Sequence, residues 1–98
     1  TVFVNNDYYV NIYNVITPND NGKNDFWVIE NIETYPENKV YVYDQSGRLV
    51  FHDTSYTNDW EGTFNGENLT DGTYYFVITL DEGSPEYKGT LTIIRNLN

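Results

Sequence analysis

With 98 residues the chain has room for one compact core, and Tyr, Val, Ile, Phe and Trp carry its apolar share while Ala and Met are absent, which favours pleated strands over helix. Fifteen Asp and Glu against five Lys and Arg leave a formal net charge of −10, which argues against nucleic-acid binding, since that rests on Lys and Arg displacing counterions from phosphates. The absence of cysteine excludes disulfides, thiolate metal sites and a Cys nucleophile.

In chain order, strand-like residues open the sequence at 2–4 and continue at 8–14, with Val10, Ile12 and their neighbours alternating in polarity. A chain that starts inside such a run reads as a piece of something longer, with any export signal lying elsewhere. Pro18-Asn19-Asp20-Asn21-Gly22 then forces a turn before a strand at 26–30. Tyr35-Pro36-Glu37-Asn38 breaks the chain again ahead of the alternating run 39–44. That run returns through Gln45-Ser46-Gly47 into 48–52, a hairpin signal. A short strand near 60–64 is followed by the turns Asn65-Gly66 and Asp71-Gly72. Strand 73–80 pairs with 87–95 through a second hairpin turn at 81–86. Trp60, between polar residues and Gly62, is expected to cap the edge of the core and to need an acceptor for its indole N–H. Tyr74 and Phe76 alternate with Tyr75 and Val77, so one pair faces the core. No run approaches the roughly 18 apolar residues that span a bilayer, so direct membrane insertion is not expected. About seven short strands with no helix to cover them must bury their apolar faces on one another. The expected fold is therefore all-β: an Ig-like antiparallel β-sandwich in two sheets, forming a single domain over 1–98.

Residues 17–25 carry the densest polar pattern. Asp20, Asn21 and Asp25 place oxygens around one glycine, the way a short loop wraps calcium. A metal-free turn is the simpler reading, because Asn and Asp tolerate left-handed backbone and cap their own turns, and the EF-hand pattern lacks its closing Glu. No cofactor is otherwise called for. Catalysis has little to stand on. His52 is the only histidine, and Asp53 beside it points to the opposite face of a strand, so His52 reads as a surface residue at a strand end. Ten Tyr and two Trp could stack on sugar rings, but outward tyrosines such as Tyr41 and Tyr43 are more simply cross-strand pairs.

From about Tyr13 to Arg95 these features follow one another in a recognisable order. Asn14-Val15-Ile16-Thr17-Pro18-Asn19 leads into Asp20-Asn21-Gly22-Lys23-Asn24-Asp25. Ile32 and Tyr35-Pro36 precede Val40 to Tyr43, the turn closing at Gly47, and Val50-Phe51. Trp60-Glu61-Gly62, Asn65-Gly66 and Leu69 precede Asp71-Gly72-Thr73-Tyr74-Tyr75, and Tyr87-Lys88-Gly89 leads to Ile93-Ile94-Arg95. In this order and spacing the chain resembles the gliding motility-associated C-terminal domain, the type B cargo domain of the type IX secretion system. It departs from that family in its loop, Asn19-Asp20-Asn21-Gly22, and in its central turn, Asp44-Gln45-Ser46-Gly47, which lacks the family's usual Arg and Trp.

The resemblance implies a non-catalytic C-terminal sorting signal, fused to an N-terminal cargo region. It implies that the cargo passes through the periplasm and crosses the outer membrane to the cell surface or medium. The implied partner is the outer-membrane translocon or an associated membrane protein. A folded signal is read through loops and edges. The residues expected to be read are Asn19, Asp20, Asn21, Gly22, Lys23, Asn24 and Asp25 in the first loop, Gln45, Ser46 and Gly47 in the central turn, and Leu91, Ile93 and Arg95 in the terminal strand, which could also pair by β-augmentation if it lay open. A carbohydrate-binding or adhesive sandwich of a secreted protein is the alternative, and a passive spacer in a surface protein is a third reading.

Overall fold

The structure is a computed structural model, described for residues 9–18 and 25–95. Its elements are β1 (Asn11–Ile12), β2 (Val15–Ile16), β3 (Ile29–Glu30), a single 3-10 turn (Ile32–Thr34), β4 (Lys39–Tyr43), β5 (Leu49–Thr54), β6 (Thr63–Phe64), β7 (Glu67–Asn68), β8 (Gly72–Thr79) and β9 (Tyr87–Ile93). The five-stranded sheet β2-β9-β8-β4-β5 forms one layer. The two-stranded ribbons β1-β3 and β6-β7, with the loops between them, form the other, as the expected sandwich requires.

Both expected hairpins are present. β4 and β5 pair antiparallel through the turn at 44–48, with a bulge at Val42 and Tyr43. β8 and β9 pair antiparallel over seven registered positions from Gly72 opposite Ile93 to Ile78 opposite Tyr87. The strand count among the described residues is nine rather than about seven, for two physical reasons. Of the expected run 8–14 only Asn11–Ile12 forms a strand, with Ile12 paired to Ile29, and just past its expected end Val15 starts a separate strand that pairs in parallel with Thr92 in the large sheet. The expected strand near 60–64 is half of a small hairpin, because Asn65 (φ 53°) and Gly66 (φ 81°) turn the chain straight back into β7. The expected strand at 2–4 lies outside the described residues.

Alternation decides which side chains meet. On β8, Tyr74, Phe76 and Ile78 are buried while Tyr75 faces outward. They join Val40 and Val42 from β4, and Leu91 and Ile93 from β9, beneath Trp27, Ile29, Tyr56 and Trp60 of the second layer. Trp27 is fully buried at the centre, with ring centroids 5.5 Å from Tyr56, 6.2 Å from Trp60 and 5.7 Å from Phe76. Trp60 stacks on Phe51 at 4.6 Å, and its indole N–H finds its acceptor in the Thr63 carbonyl at 2.9 Å. The Tyr74 hydroxyl donates to the Thr70 carbonyl at 2.7 Å, four residues upstream. That contact is the tyrosine corner of Ig-type sandwiches, built here on Leu69-Thr70-Asp71-Gly72-Thr73-Tyr74.

Candidate functional site

Topology collects the expected recognition segments at one end of the large sheet. β2 runs parallel to β9, with Ile16 beside Ile93; Gly72, at the start of β8, is also beside Ile93; and Tyr43, at the end of β4, is beside Tyr75. Thr17-Pro18, Asp71-Gly72, Ile94-Arg95 and the turn from Asp44 to Arg48 therefore emerge together. Asn19, Asp20, Asn21, Gly22, Lys23 and Asn24 lie outside the described residues, so of the expected loop only Asp25 is placed, and of the expected calcium ligands Asp20, Asn21 and Asp25 the same is true. Among the described residues no group of three or more His, Asp or Glu is positioned to hold a metal ion.

The central turn is fixed from within. One carboxylate oxygen of Asp44 accepts from the Ser46 backbone N–H (2.9 Å), the Ser46 hydroxyl (2.7 Å) and the Arg48 backbone N–H (3.0 Å), and the other accepts from Arg48 Nε (3.2 Å). The Ser46 hydroxyl and then the Arg48 amide hold this carboxyl below the usual Asp range. The Gly47 N–H closes the turn onto the Asp44 carbonyl at 2.9 Å, with φ of 88° at Gly47. Gln45, Ser46 and Gly47 are all exposed at its tip.

The terminal strand contributes differently from what an open edge would offer. Leu91 and Ile93 are fully buried and face the core. Over these residues β9 is an interior strand, paired with β8 on one side and β2 on the other, with Thr92 N–H on Asn14 O and Ile94 N–H on Ile16 O extending the second pairing. The terminal strand therefore has no free edge there for β-augmentation. Short parallel strand β2, too brief to stand out as a separate strand in the sequence, occupies it.

Arg95 turns back under the end of the molecule. Its Nε donates to the Leu69 carbonyl at 2.6 Å, and its terminal nitrogen donates to the carbonyls of Gly62 and, at 3.4 Å, Glu61. Its backbone N–H donates to Asp71 Oδ1 at 3.1 Å. One guanidinium thus ties the last strand to both arms of the β6–β7 hairpin, which Leu69 N–H on Gly62 O (2.9 Å) also closes. Gly62 is required beneath it on two counts: φ is 80°, and a Cβ there would lie 3.0 Å from the Arg95 guanidinium and 3.2 Å from Ile93.

Elsewhere the chemistry is structural. His52 lies on the outer sheet face opposite Tyr41, rings stacked at 6.2 Å, which makes Tyr41 the cross-strand partner expected of it. Tyr56, which the sequence reading passed over, and Asn38, which it placed only in a turn, anchor the second layer. The buried Tyr56 hydroxyl donates to Trp27 O (2.6 Å) and accepts from Trp60 N–H (3.1 Å), and burial raises its pKa well above the ordinary tyrosine value. The buried Asn38 amide donates to Tyr35 O (2.8 Å) and accepts from Tyr56 N–H (3.0 Å). For Trp27 a signal exists, since Phe26-Trp27-Val28-Ile29 places Trp27 and Ile29 on one face.

A search among curated proteins finds no match. The family profile of the CHU_C type IX secretion signal domain matches residues 10–93, which covers both hairpins, the parallel strand β2 and the end at which the turns collect. Since that match takes in most of the chain, the chain belongs to the type IX secretion signal domain family, and its role is that of a sorting signal that marks a cargo for export by that system.

Proposed function

We propose that the domain acts without catalysis, as a folded signal whose turn-bearing end is read by the outer-membrane translocon or by an associated membrane protein. The cargo is the region N-terminal to it, which reaches the periplasm, folds there and then passes to the cell surface or medium. The observation that carries this reading is the convergence at one end of the central turn, the Asp71-Gly72 loop, the terminal strand and the flank of the first loop. Gln45, Ser46 and Gly47, together with Asn19 to Asp25, supply the contact surface. Leu91 and Ile93 act from inside the core, and Arg95 acts by holding the hairpin in place.

A reporter carrying an export signal peptide and this domain at its C-terminus tests the reading in a host with the secretion system. Surface or medium delivery is expected for the intact domain, and periplasmic retention after removal of residues 91–98. Equal delivery by a version with residues 44–48 scrambled would count against it.

A further inference from the structure

Resting on the sorting role just described, we propose that the cleft between the β4–β5 turn and the β6–β7 hairpin receives a basic side chain from an extended loop of the secretion partner. The cleft measures about 370 Å³, which leaves room for a long side chain. Phe64, Leu69 and Tyr74 supply apolar lining, and Gln45, Asn65 and Glu67 a polar rim.

Both walls are held before any partner arrives. Asp44 fixes the turn through four hydrogen bonds, and Arg95 fixes the hairpin through backbone carbonyls on each of its arms. A preformed cleft spares the ordering cost that association otherwise carries. The Phe64 ring already carries a cation, because the Arg48 guanidinium lies over it at 5.1 Å from its centre. Arg48 is committed to Asp44, and Arg95 to carbonyls. Glu67 is exposed on the rim, and neither ion pair of the described residues, Arg48–Asp44 or Lys88–Glu86, involves it.

A Lys or Arg entering here lays its aliphatic stem along Leu69, beside the Phe64 ring that Arg48 covers, and brings its charge to Glu67. The surplus of acids over the whole chain, with a net charge of −10, steers such a partner in and repels an acidic one. A second acidic concavity, lined by Glu37, Asp81, Glu82 and Glu86, lies at the opposite end of the sheet. Lys39 stands within it, and it has no aromatic lining.

The test is charge reversal in the secreted reporter fusion. Glu67→Lys is expected to reduce export by about threefold or more, and Glu67→Gln by less, while Glu82→Lys at the opposite end leaves export unchanged. Export unaffected by Glu67→Lys, or reduced equally by Glu82→Lys, overturns the proposal. Retained thermal unfolding of each variant domain separates loss of docking from loss of fold.

An NMR titration of the isolated chain with the tripeptide Gly-Arg-Gly provides a measurement independent of the secretion system. Shifts at Glu67, Asn68 and Leu69 that weaken with salt and in Glu67→Gln and vanish in Glu67→Lys support the cleft, and uniform or absent shifts overturn it. If the intact domain fails to export the reporter, the sorting mechanism falls, and the titration still decides the cleft.

Discussion

The two layers of this sandwich are held by different physics. In the five-stranded sheet, backbone ladders between β8 and β9 and between β4 and its two neighbours, interrupted by the bulge at Val42 and Tyr43, satisfy the main chain, and side chains need only alternate. The second layer has ribbons of two residues each, too short to supply their own ladders. Side chains take over there. Tyr56, Asn38, Asn58 and Arg95 each bind backbone groups distant in sequence: Asn58 Oδ1 accepts from Ile29 N–H at 2.8 Å, and the Trp27 indole N–H donates to Tyr13 O at 2.9 Å. Among the described residues no buried side-chain polar atom lacks a partner. The difference teaches that a deletion of one polar group is cheap on the large sheet and costly in the irregular layer.

The largest effect is expected where that layer meets the sheet. Trp27→Ala removes the ring shared by Tyr56, Trp60 and Phe76 and should cost about 3–5 kcal/mol, a large share of the stability of a domain of this size. Urea denaturation followed by tryptophan fluorescence of the remaining Trp60 measures it. Next comes Tyr56→Phe, which keeps the packing but leaves the Trp27 carbonyl without its hydroxyl donor and the Trp60 N–H without its acceptor, at about 1–3 kcal/mol. Tyr41→Phe, with its ring paired to His52 on the outer face, serves as the sheet's counterpart and should be near neutral. Equal losses at Tyr56 and Tyr41 would break the comparison between the layers.

The same contrast explains what was legible in the sequence. Residues 39–52 and 73–93 announce themselves because alternation, a turn and alternation again are local patterns, and the ladders between them follow. The tyrosine corner is legible in hindsight through Leu69 to Tyr74. Tyr56 and Asn38 were not, because Ser55-Tyr56-Thr57-Asn58 has no period and their value comes from partners 18 to 29 residues away. Arg95 was legible as part of a motif but not in its role. A terminal cation reads as a surface contact, and only the position of the β6–β7 hairpin shows that backbone carbonyls claim it.

Arg95→Ala therefore makes a sharper probe of the recognition end than of global stability. Loss of charge-assisted hydrogen bonds to partly exposed carbonyls should cost about 1–2 kcal/mol. This residue ties both arms of the hairpin to the last strand, so the loss should concentrate in residues 61–69, read as faster amide exchange there while β8 and β9 stay protected. Arg95→Lys should recover part of the protection, since an ammonium reaches fewer of the carbonyls than the planar fork. Uniformly faster exchange through the sheet would show that Arg95 serves the fold as a whole.

The smallest effect distinguishes two carboxylates whose hydrogen bonds favour the charged form, Glu30 and Asp44. Hydrogen bonds from the Tyr13 hydroxyl (2.6 Å) and then the Asn11 amide (3.1 Å) lower the Glu30 pKa, and bonds from Ser46 and Arg48 lower that of Asp44. Both folded pKa values lie below the ordinary 4.5 and 3.8, so on acidification the unfolded chain binds protons first. The stability these groups contribute is complete above the ordinary values and is lost as pH falls through the lowered ones. Acid also relieves the repulsion of a chain with a charge of −10, which acts in the opposite sense, so a thermal scan of the wild type alone mixes the two. The difference between the wild type and Glu30→Gln isolates the first ribbon, and that between the wild type and Asp44→Asn isolates the central turn. Each gap in Tm should narrow between pH 5 and pH 3, and a gap that stays constant with pH would mean that the carboxylate's hydrogen bonds hold no more tightly in the charged form than in the neutral one.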